Sequence, residues 1–533
     1  MQQRLARSLV AGLIFTAIVF IYNIPVFAGQ TQQASAGEEN KPAAATPEPA
    51  PAPAAPAPQA QTPAPVPSAP LQFRIGDATI TPIGFMDATN TFRSTNSGAS
   101  LATNFGNFPY ENNPPTGRLT EDRFSTQNSR IGFRVDAKVK NANILGYMEG
   151  DFVGGVGGTG SNIAFNSQVT SNSIVYRQRL YWIDVRQRRF EFLAGQSWSM
   201  MTPNRKQISP LPGDLFYGQE FDVNYLNGLT WGRIPGMRIL YHPNEKVTWG
   251  LSFENASQYF GGSGGAGNPT LPATLPATIT NQVDGGGNGG ISGTAFANGL
   301  AAPQVHPDII TRLAFDPNSH IHFEFTGVES TVRLINSSNP ANLVYHHTVG
   351  VGGSFNGNFE VAKGFRLITN NFWSDGEGRY IFGQAPNFII RPDGAPSSIH
   401  SGSTIQGFEA TVKNTLVYGY YGGVYILANT ALDPTNNHLI GWGFQPFNGG
   451  AGAANSQNRS IQEGTVGMIQ TIWRDPKYGS LQLMGQYAYF TRSPYFVPVT
   501  TPVATPSNAH QHAVWFNVRY TLPGSAPTIT PPQ

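Results

Sequence analysis

The chain has 533 residues, no cysteine, 60 glycines and 42 prolines, and charged residues make up only 12% of it. The lack of cysteine excludes a disulfide scaffold, and a formal net charge of +2 excludes the strong basic surplus that a nucleic-acid partner requires. Mean hydropathy is -0.23 and no helix-length apolar run follows the N-terminal one, which leaves a membrane-spanning β-barrel open, because barrel strands carry little net hydropathy.

Arg4 and Arg7 precede an apolar run over residues 9–24, closed by Val26-Phe27-Ala28. A basic start, an apolar middle and a small-residue cleavage site predict a secretory signal peptide over residues 1–28. The apolar run falls short of the roughly twenty residues of a spanning helix, which argues against an anchor. Residues 29–70 contain PAAATPEPAPAPAAPAPQAQTPAPVPSAP. Proline at nearly every second or third position forbids helix, so this stretch is expected to be an extended, solvated periplasmic linker with nothing to bury. A β-barrel domain is expected over 71–522 and a C-terminal tail over 523–533.

From residue 79 onward the pattern is β. Strands are predicted over 79–92, 130–139, 144–152, 174–185, 190–200, 229–241, 247–257 and 309–315. Further strands are predicted over 320–335, 344–355, 364–373, 405–412, 418–428, 464–473, 480–491 and 513–522. About sixteen strands, an even number, suits an all-β, transmembrane antiparallel barrel of porin size. Connections at 140–143, 243–246, 317–319 and 476–479 are minimal, whereas 94–124, 154–173, 258–308, 374–404 and 430–463 are long and rich in glycine, asparagine or proline. Short turns on one rim and long loops on the other is the layout of an outer-membrane barrel, and a soluble sandwich has no reason to sort its loops this way.

The clearest alternation runs from Arg130. Arg130, Gly132, Arg134, Asp136 and Lys138 share one side, and Ile131, Phe133, Val135, Ala137 and Val139 the other. After a short polar turn, Leu145, Tyr147, Glu149 and Asp151 oppose Ile144, Gly146, Met148 and Phe152. Val247, Trp249, Leu251 and Phe253 share a side of one later strand, and Val514, Phe516, Val518 and Tyr520 a side of the last. These apolar sides carry no charge, as a lipid-facing surface requires. Trp182, Trp249, Tyr418, Tyr420, Tyr487, Tyr489 and Tyr520 lie toward strand ends and could form interfacial girdles, although strands favour aromatics in any case.

Three motifs carry a family resemblance: Ser129-Arg130-Ile131-Gly132-Phe133-Arg134, then Glu149 and Asp151, then Gly195-Gln196-Ser197-Trp198. With them the chain resembles the DcaP-like porins of Gram-negative bacteria, in outline from residue 79 to 522. The resemblance implies a sixteen-stranded trimeric channel for small, often anionic solutes, with a loop after the Gly-Gln-Ser-Trp strand end that folds inward and narrows the pore. Two departures stand out. The proline-rich linker replaces the helical coiled-coil segment that members of that family can carry, and PGSAPTITPPQ follows Tyr520-Thr521-Leu522 where a porin usually ends on an aromatic residue.

Arg130, Arg134 and Lys138 on one strand and Arg177 and Arg179 on another, with Glu149 and Asp151 between them, are the expected pore-lining charges. The segment 202–227 carries Arg205, Lys206, Asp214, Glu220 and Asp222. Folded into the pore, its carboxylates would face the arginines across the narrowest point, where low-dielectric walls focus the field. The plainer alternative is that these charges pair with one another across strands. His320, His322 and Glu324 have alternate spacing on one strand, which could suit a metal, but polar lumen residues are the better account. No nucleophile elbow, H-E-x-x-H or P-loop occurs, so neither an enzyme nor a cofactor is indicated. The expectation is an outer-membrane porin passing small hydrophilic solutes, anions among them, in contact with outer-membrane lipid, as a homotrimer, with no nucleic acid. A secreted all-β glycan-binding protein and an outer-membrane barrel hydrolase are the alternatives.

Overall fold

The computed structural model describes residues 71–96, 103, 105–110, 115–154, 175–209, 211, 215–219, 225–261, 268–284, 305–443, 457–495 and 509–525. The signal peptide, the linker and most of the C-terminal tail lie outside the described residues, as do Asp214, Glu220 and Asp222.

Sixteen strands close on themselves. They are β1 (Ala78–Arg93), β2 (Arg130–Val139), β3 (Ala142–Gly154), β4 (Val175–Gln187), β5 (Phe190–Trp198), β6 (Arg233–Asn244), β7 (Val247–Glu254) and β8 (Asp308–Asn318). The circle continues through β9 (Ile321–Asn336), β10 (Val344–Ala362), β11 (Phe365–Asp375), β12 (His400–Val412), β13 (Thr415–Ile426), β14 (Asn458–Asp475), β15 (Gly479–Pro494) and β16 (Ala509–Thr521). Each pairs antiparallel with its chain neighbour, and β16 returns to β1 in a register running from Phe85 against Thr521 to Arg93 against Ala513. Two short pieces extend the sheet: Phe73–Ile75 folds back on the start of β1, and Glu121–Ser125 pairs with its end.

All sixteen predicted strands are present, with shifted ends. Residues 121–125, read as loop, are strand, because Arg93 forms a 2.7 Å ion pair with Glu121 that draws this piece onto β1. Residues 400–404 and 458–463 also extend β12 and β14 beyond the predicted starts. Conversely, 229–232 leaves the sheet, since Leu229 is buried among residues inside the barrel.

Loop lengths alternate around the ring. Connections at one rim have two or three residues, such as 140–141, 188–189, 413–414 and 476–478, whereas those at the other run from seven (337–343) to fifty-three (255–307). Three of the tight turns carry a left-handed residue, Lys140, Arg188 and Lys413, each near φ +54°. The outer surface exposes Ile131, Phe133, Met148, Tyr181, Ile183, Met237, Phe325, Phe516 and Val518, each more than a third accessible. An encircling apolar exterior of this extent is not stable in water and identifies a membrane-spanning barrel. Inside, Asp87, Glu149, Asp151, Arg179, Arg312 and Glu324 are buried.

The seam between first and last strands is held by polar groups facing inward. Arg519 Nε donates to Asp87 Oδ2 at 2.9 Å, and Asn517 Nδ2 donates to Asp87 Oδ1 at 3.2 Å. Beyond β16 the backbone N–H of Leu522 and the hydroxyl of Ser525 both donate to Gly84 O, at 3.0 and 2.7 Å.

Candidate functional site

The interior charges form two groups. The first lies on β2, β3 and β4. Arg179 donates to Glu149 at 2.9 Å and to Asp151 at 2.6 Å, Arg177 donates to Asp151 at 2.6 Å, and Arg130 stands 3.7 Å from Glu149. Tyr147 Oη donates to Glu149 at 3.0 Å. A bulge makes this arrangement possible: Glu149 pairs with Leu180 but Gly150 with Gln178, so Arg179 is an extra residue on β4. One inserted residue reverses the phase of the strand, and Arg179 and Leu180 are consequently both buried inside the barrel. Arg134 instead pairs with its strand neighbour Asp136 at 2.7 Å, and Lys138 is exposed toward the rim of short turns. Five of the seven expected pore-lining charges, Arg130, Glu149, Asp151, Arg177 and Arg179, meet, and they meet as ion pairs.

The second group holds the segment between β5 and β6. Gly195, at φ +129°, lies near the end of β5, where a Cβ would stand 2.3 Å from Tyr181 O. The described residues of 199–232 run across the interior and are docked against strands β7 to β16. Because this backbone has no ladder of its own, wall side chains must satisfy its donors and acceptors. Met200 N donates to Glu254, Gln207 N to Asp316, Gln219 N to Gln486 and Asn227 N to Glu463, all at 2.8–3.0 Å. Arg312 donates to the carbonyls of Met200 and Thr202, and is itself paired with Glu324 at 3.2 Å. The segment touches the wall backbone at Gly422, where a Cβ would lie 2.1 Å from Asn227 O. A cavity of about 20 Å³ lies between Pro203, Arg205, Phe216 and the asparagines Asn356, Asn358 and Asn370.

Arg205 is the cross-link of this segment. Its guanidinium donates to Glu409 at 2.6 and 2.7 Å and to Leu215 O, and lies over the Tyr217 ring. Burial alone would lower its pKa, but the Glu409 carboxylate outweighs burial and raises it. Glu409 also accepts from Tyr420 Oη at 2.7 Å. Lys206, next in the chain, is exposed. His322 is engaged by Asp316 at 3.0 Å and by Glu324, while His320 lies in the adjoining turn against Glu360, so the three candidates do not converge.

Two further loops enter the barrel, which the sequence reading did not foresee. Phe105, Phe108 and Tyr110 are wholly buried, and Arg492 holds them in place by donating to Phe108 O at 2.8 Å with its guanidinium 4.3 Å from the Tyr110 ring. Residues 376–399 fold in beside them. Phe382 packs against Phe105, Tyr225 and Trp231 at 5.9, 5.2 and 5.1 Å, joining three loops through one ring. Burial pushes the Glu377 carboxyl well above the usual carboxylate range, and neighbouring Asp308 adds to the effect. The legible signal was NFGNFPY at 104–110, an aromatic stretch in a connection that otherwise reads as polar. The aromatic girdle needs correction as well. Trp182, Tyr418 and Tyr420 face inward, Trp182 stacked on Tyr147 at 5.2 Å, while Tyr487, Tyr489 and Tyr520 are on the outside.

No protein-family model matches the sequence, and neither does any curated protein. Among solved structures the chain is similar to the outer membrane channel DcaP of Acinetobacter baumannii, with a TM-score of 0.55 and 13% identity over 85% of this chain and 99% of that one. The two share a fold. Lower similarity extends to the trimer form of the outer membrane protein OmpT of Vibrio cholerae, with a TM-score of 0.43 and 8% identity over 83% of this chain and 99% of that one. An anion-selective porin from Comamonas acidovorans aligns with a TM-score of 0.41 and 10% identity over 83% and 99%.

Proposed function

We propose that this chain is an outer-membrane porin through which small hydrophilic solutes diffuse, with a weak preference for anions. The carrying observation is the inversion of sidedness: a closed barrel with an apolar exterior, a charged interior and a segment folded across that interior. A channel fold shared with DcaP supports the same reading, and a trimer and contact with outer-membrane lipid belong to it. The segment 199–232 acts as the constriction, with Arg205 and Lys206 in its described part and Asp214, Glu220 and Asp222 in the remainder. Residues 1–28 act as the export signal and 29–70 as a periplasmic linker.

Pairing explains why the selectivity is weak. On β2–β4 three guanidiniums, Arg130, Arg177 and Arg179, face two carboxylates, Glu149 and Asp151, so one positive charge is in excess. Elsewhere on the wall Glu254, Glu324 and Glu463 stand against Arg312, and this negative surplus opposes the local positive one and keeps the preference weak. Single-channel recording of the purified protein in a salt gradient tests both pore and preference. Arg130→Ala with Arg177→Ala reverses the sign of the local excess and is expected to move the reversal potential toward cations, most at low salt where screening is weak. An unchanged reversal potential with conductance intact would show that these arginines serve structure and do not select.

The proline- and alanine-rich composition of residues 29–70 offers no apolar surface to bury, so deleting residues 30–69 while keeping the export signal is expected to leave barrel assembly unchanged. Heat-modifiable gel mobility of the deletion variant checks this, and its loss would give the linker a part in assembly.

A further inference from the structure

The rim of short turns, which in an outer-membrane barrel faces the periplasm, is unevenly charged. From β12 through the seam to β5 its turns carry Lys413, Lys477, Lys140, Arg188 and Arg189, all exposed. None of these five has an ion-pair partner among the described residues. Acids on the same arc are engaged or turned away. Asp136 pairs with Arg134 at 2.7 Å, and Asp475 Oδ1 accepts from the backbone N–H of Lys477 and of Tyr478 at 2.7 and 3.1 Å. Asp184 and Glu191 are buried inside the barrel, and Asp77 is matched in number by Arg74. Around the rest of the rim the charges balance. Lys246 stands next to Glu245, and the turn of Lys363 is closed by Glu360, which accepts from Gly364 N at 2.9 Å.

We propose that this arc binds the anionic headgroups of phospholipids in the periplasmic leaflet. The inference rests on the membrane-barrel reading above. Turn closure alone does not account for the cations. Lys140, Arg188 and Lys413 sit at φ +53°, +55° and +54°, a left-handed region that Gly and Asn occupy at lower cost. Asn is the very next residue at 141 and 414. The wall above the arc ends in outward Val139, Phe190, Val412, Trp473 and Tyr478, and Lys477 Nζ lies 5.2 Å from the Tyr478 ring. An apolar wall, an aromatic border and then cations follow the passage from hydrocarbon to headgroup. Long cationic side chains at that height reach phosphates while their stems stay against the wall. A cell-wall polymer would lie below the rim and would not use the aromatic border. Each cation near an anionic leaflet strengthens binding roughly fivefold, so several together distinguish anionic from zwitterionic lipid.

The purified protein, incubated in detergent with equal amounts of phosphatidylglycerol and phosphatidylcholine, is the test. Phosphatidylglycerol is expected to co-purify in roughly fivefold or greater excess, and the excess is expected to shrink as salt rises. Lys140→Asn, Arg188→Asn, Lys413→Asn and Lys477→Gln together are expected to bring the two lipids to parity. Asparagine suits the left-handed backbone, so heat-modifiable mobility, the check on folding, is retained. Lys246→Gln, from the balanced side of the rim, is expected to keep the excess. Equal uptake of the two lipids by the wild type, or an excess that survives the combined substitution, overturns the proposal. So does lipid parity in a wild type that co-sediments with isolated cell-wall sacculi through these cations, which would assign the arc to the wall. Absence of conductance in the wild type instead overturns the porin reading.

Discussion

Phe133→Arg is expected to prevent stable insertion, whereas Arg134→Phe, one residue along, assembles. Phe133 is outward and 37% accessible, with Ile131 and Met148 beside it. A cation at the membrane midplane costs about 2–4 kcal/mol on the outside of a barrel, and the flanking strand offers it no carboxylate. Arg134 loses only a pair with Asp136 in which both side chains are a third or more exposed, a loss of about 0–1 kcal/mol. Outer-membrane fractionation with heat-modifiable gel mobility separates the two outcomes. Equal defects would mean that the faces of β2 are reversed.

Arg205→Ala is expected to loosen the inward segment and raise single-channel conductance severalfold, with noisier currents and passage of larger sugars in liposome swelling. Its partner Glu409 is nearly buried, with a side-chain accessibility of 4%. Leaving one member of such a pair alone costs about 3–5 kcal/mol, more than any single hydrogen bond holding the segment contributes. Tyr420 still donates to Glu409 and moderates the effect, while Glu409→Gln in the same background removes the stranded charge and is expected to restore part of the wild-type conductance. Lys363→Ala, which removes an exposed side chain in the tight turn between β10 and β11, serves as the control. Conductance and size limit unchanged in Arg205→Ala would remove the segment from its role as constriction.

The strands were legible because period-two alternation is long and clean where one face meets lipid and the other meets charge. Ile131 and Phe133 against Arg130 and Arg134 fix β2 without ambiguity. The bulge at Arg179 was not legible. A strict alternation through 174–185 puts Arg177 and Arg179 opposite Leu180 and Trp182, and only the pairing with β3 shows that the phase changes between them. That slip is why Trp182 belongs to the interior and not to a girdle. On β13, Val417-Tyr418-Gly419-Tyr420-Tyr421 has large apolar groups on both sides, so its facing depends on the inward segment that covers Tyr418 and Tyr420. The meeting of Arg205 with Glu409 spans 204 residues, and no local pattern encodes it. What the sequence did offer was apolar content in places that a solvated loop would not keep it: Leu215-Phe216-Tyr217 between β5 and β6, and Phe105 and Phe108 after β1.

The seam has a kinetic consequence. Gly84 and Ser525 are 441 positions apart, and the Asp87–Arg519 pair nearly as far, so these are the contacts whose formation confines the most chain. Every other barrel pairing joins neighbours in sequence and can form as a growing hairpin array, whereas the ring closes only when β16 reaches β1. Until then two bare edges coexist, each able to pair with another chain. Closure is therefore the pairing that ends both edges, and the cluster of Asp87, Thr89, Asn517 and Arg519 is satisfied in the native register. A one-residue slip would carry either Arg519 or Asp87 to the lipid side and strand the other inside, so a misaligned ring is rejected by the bilayer itself.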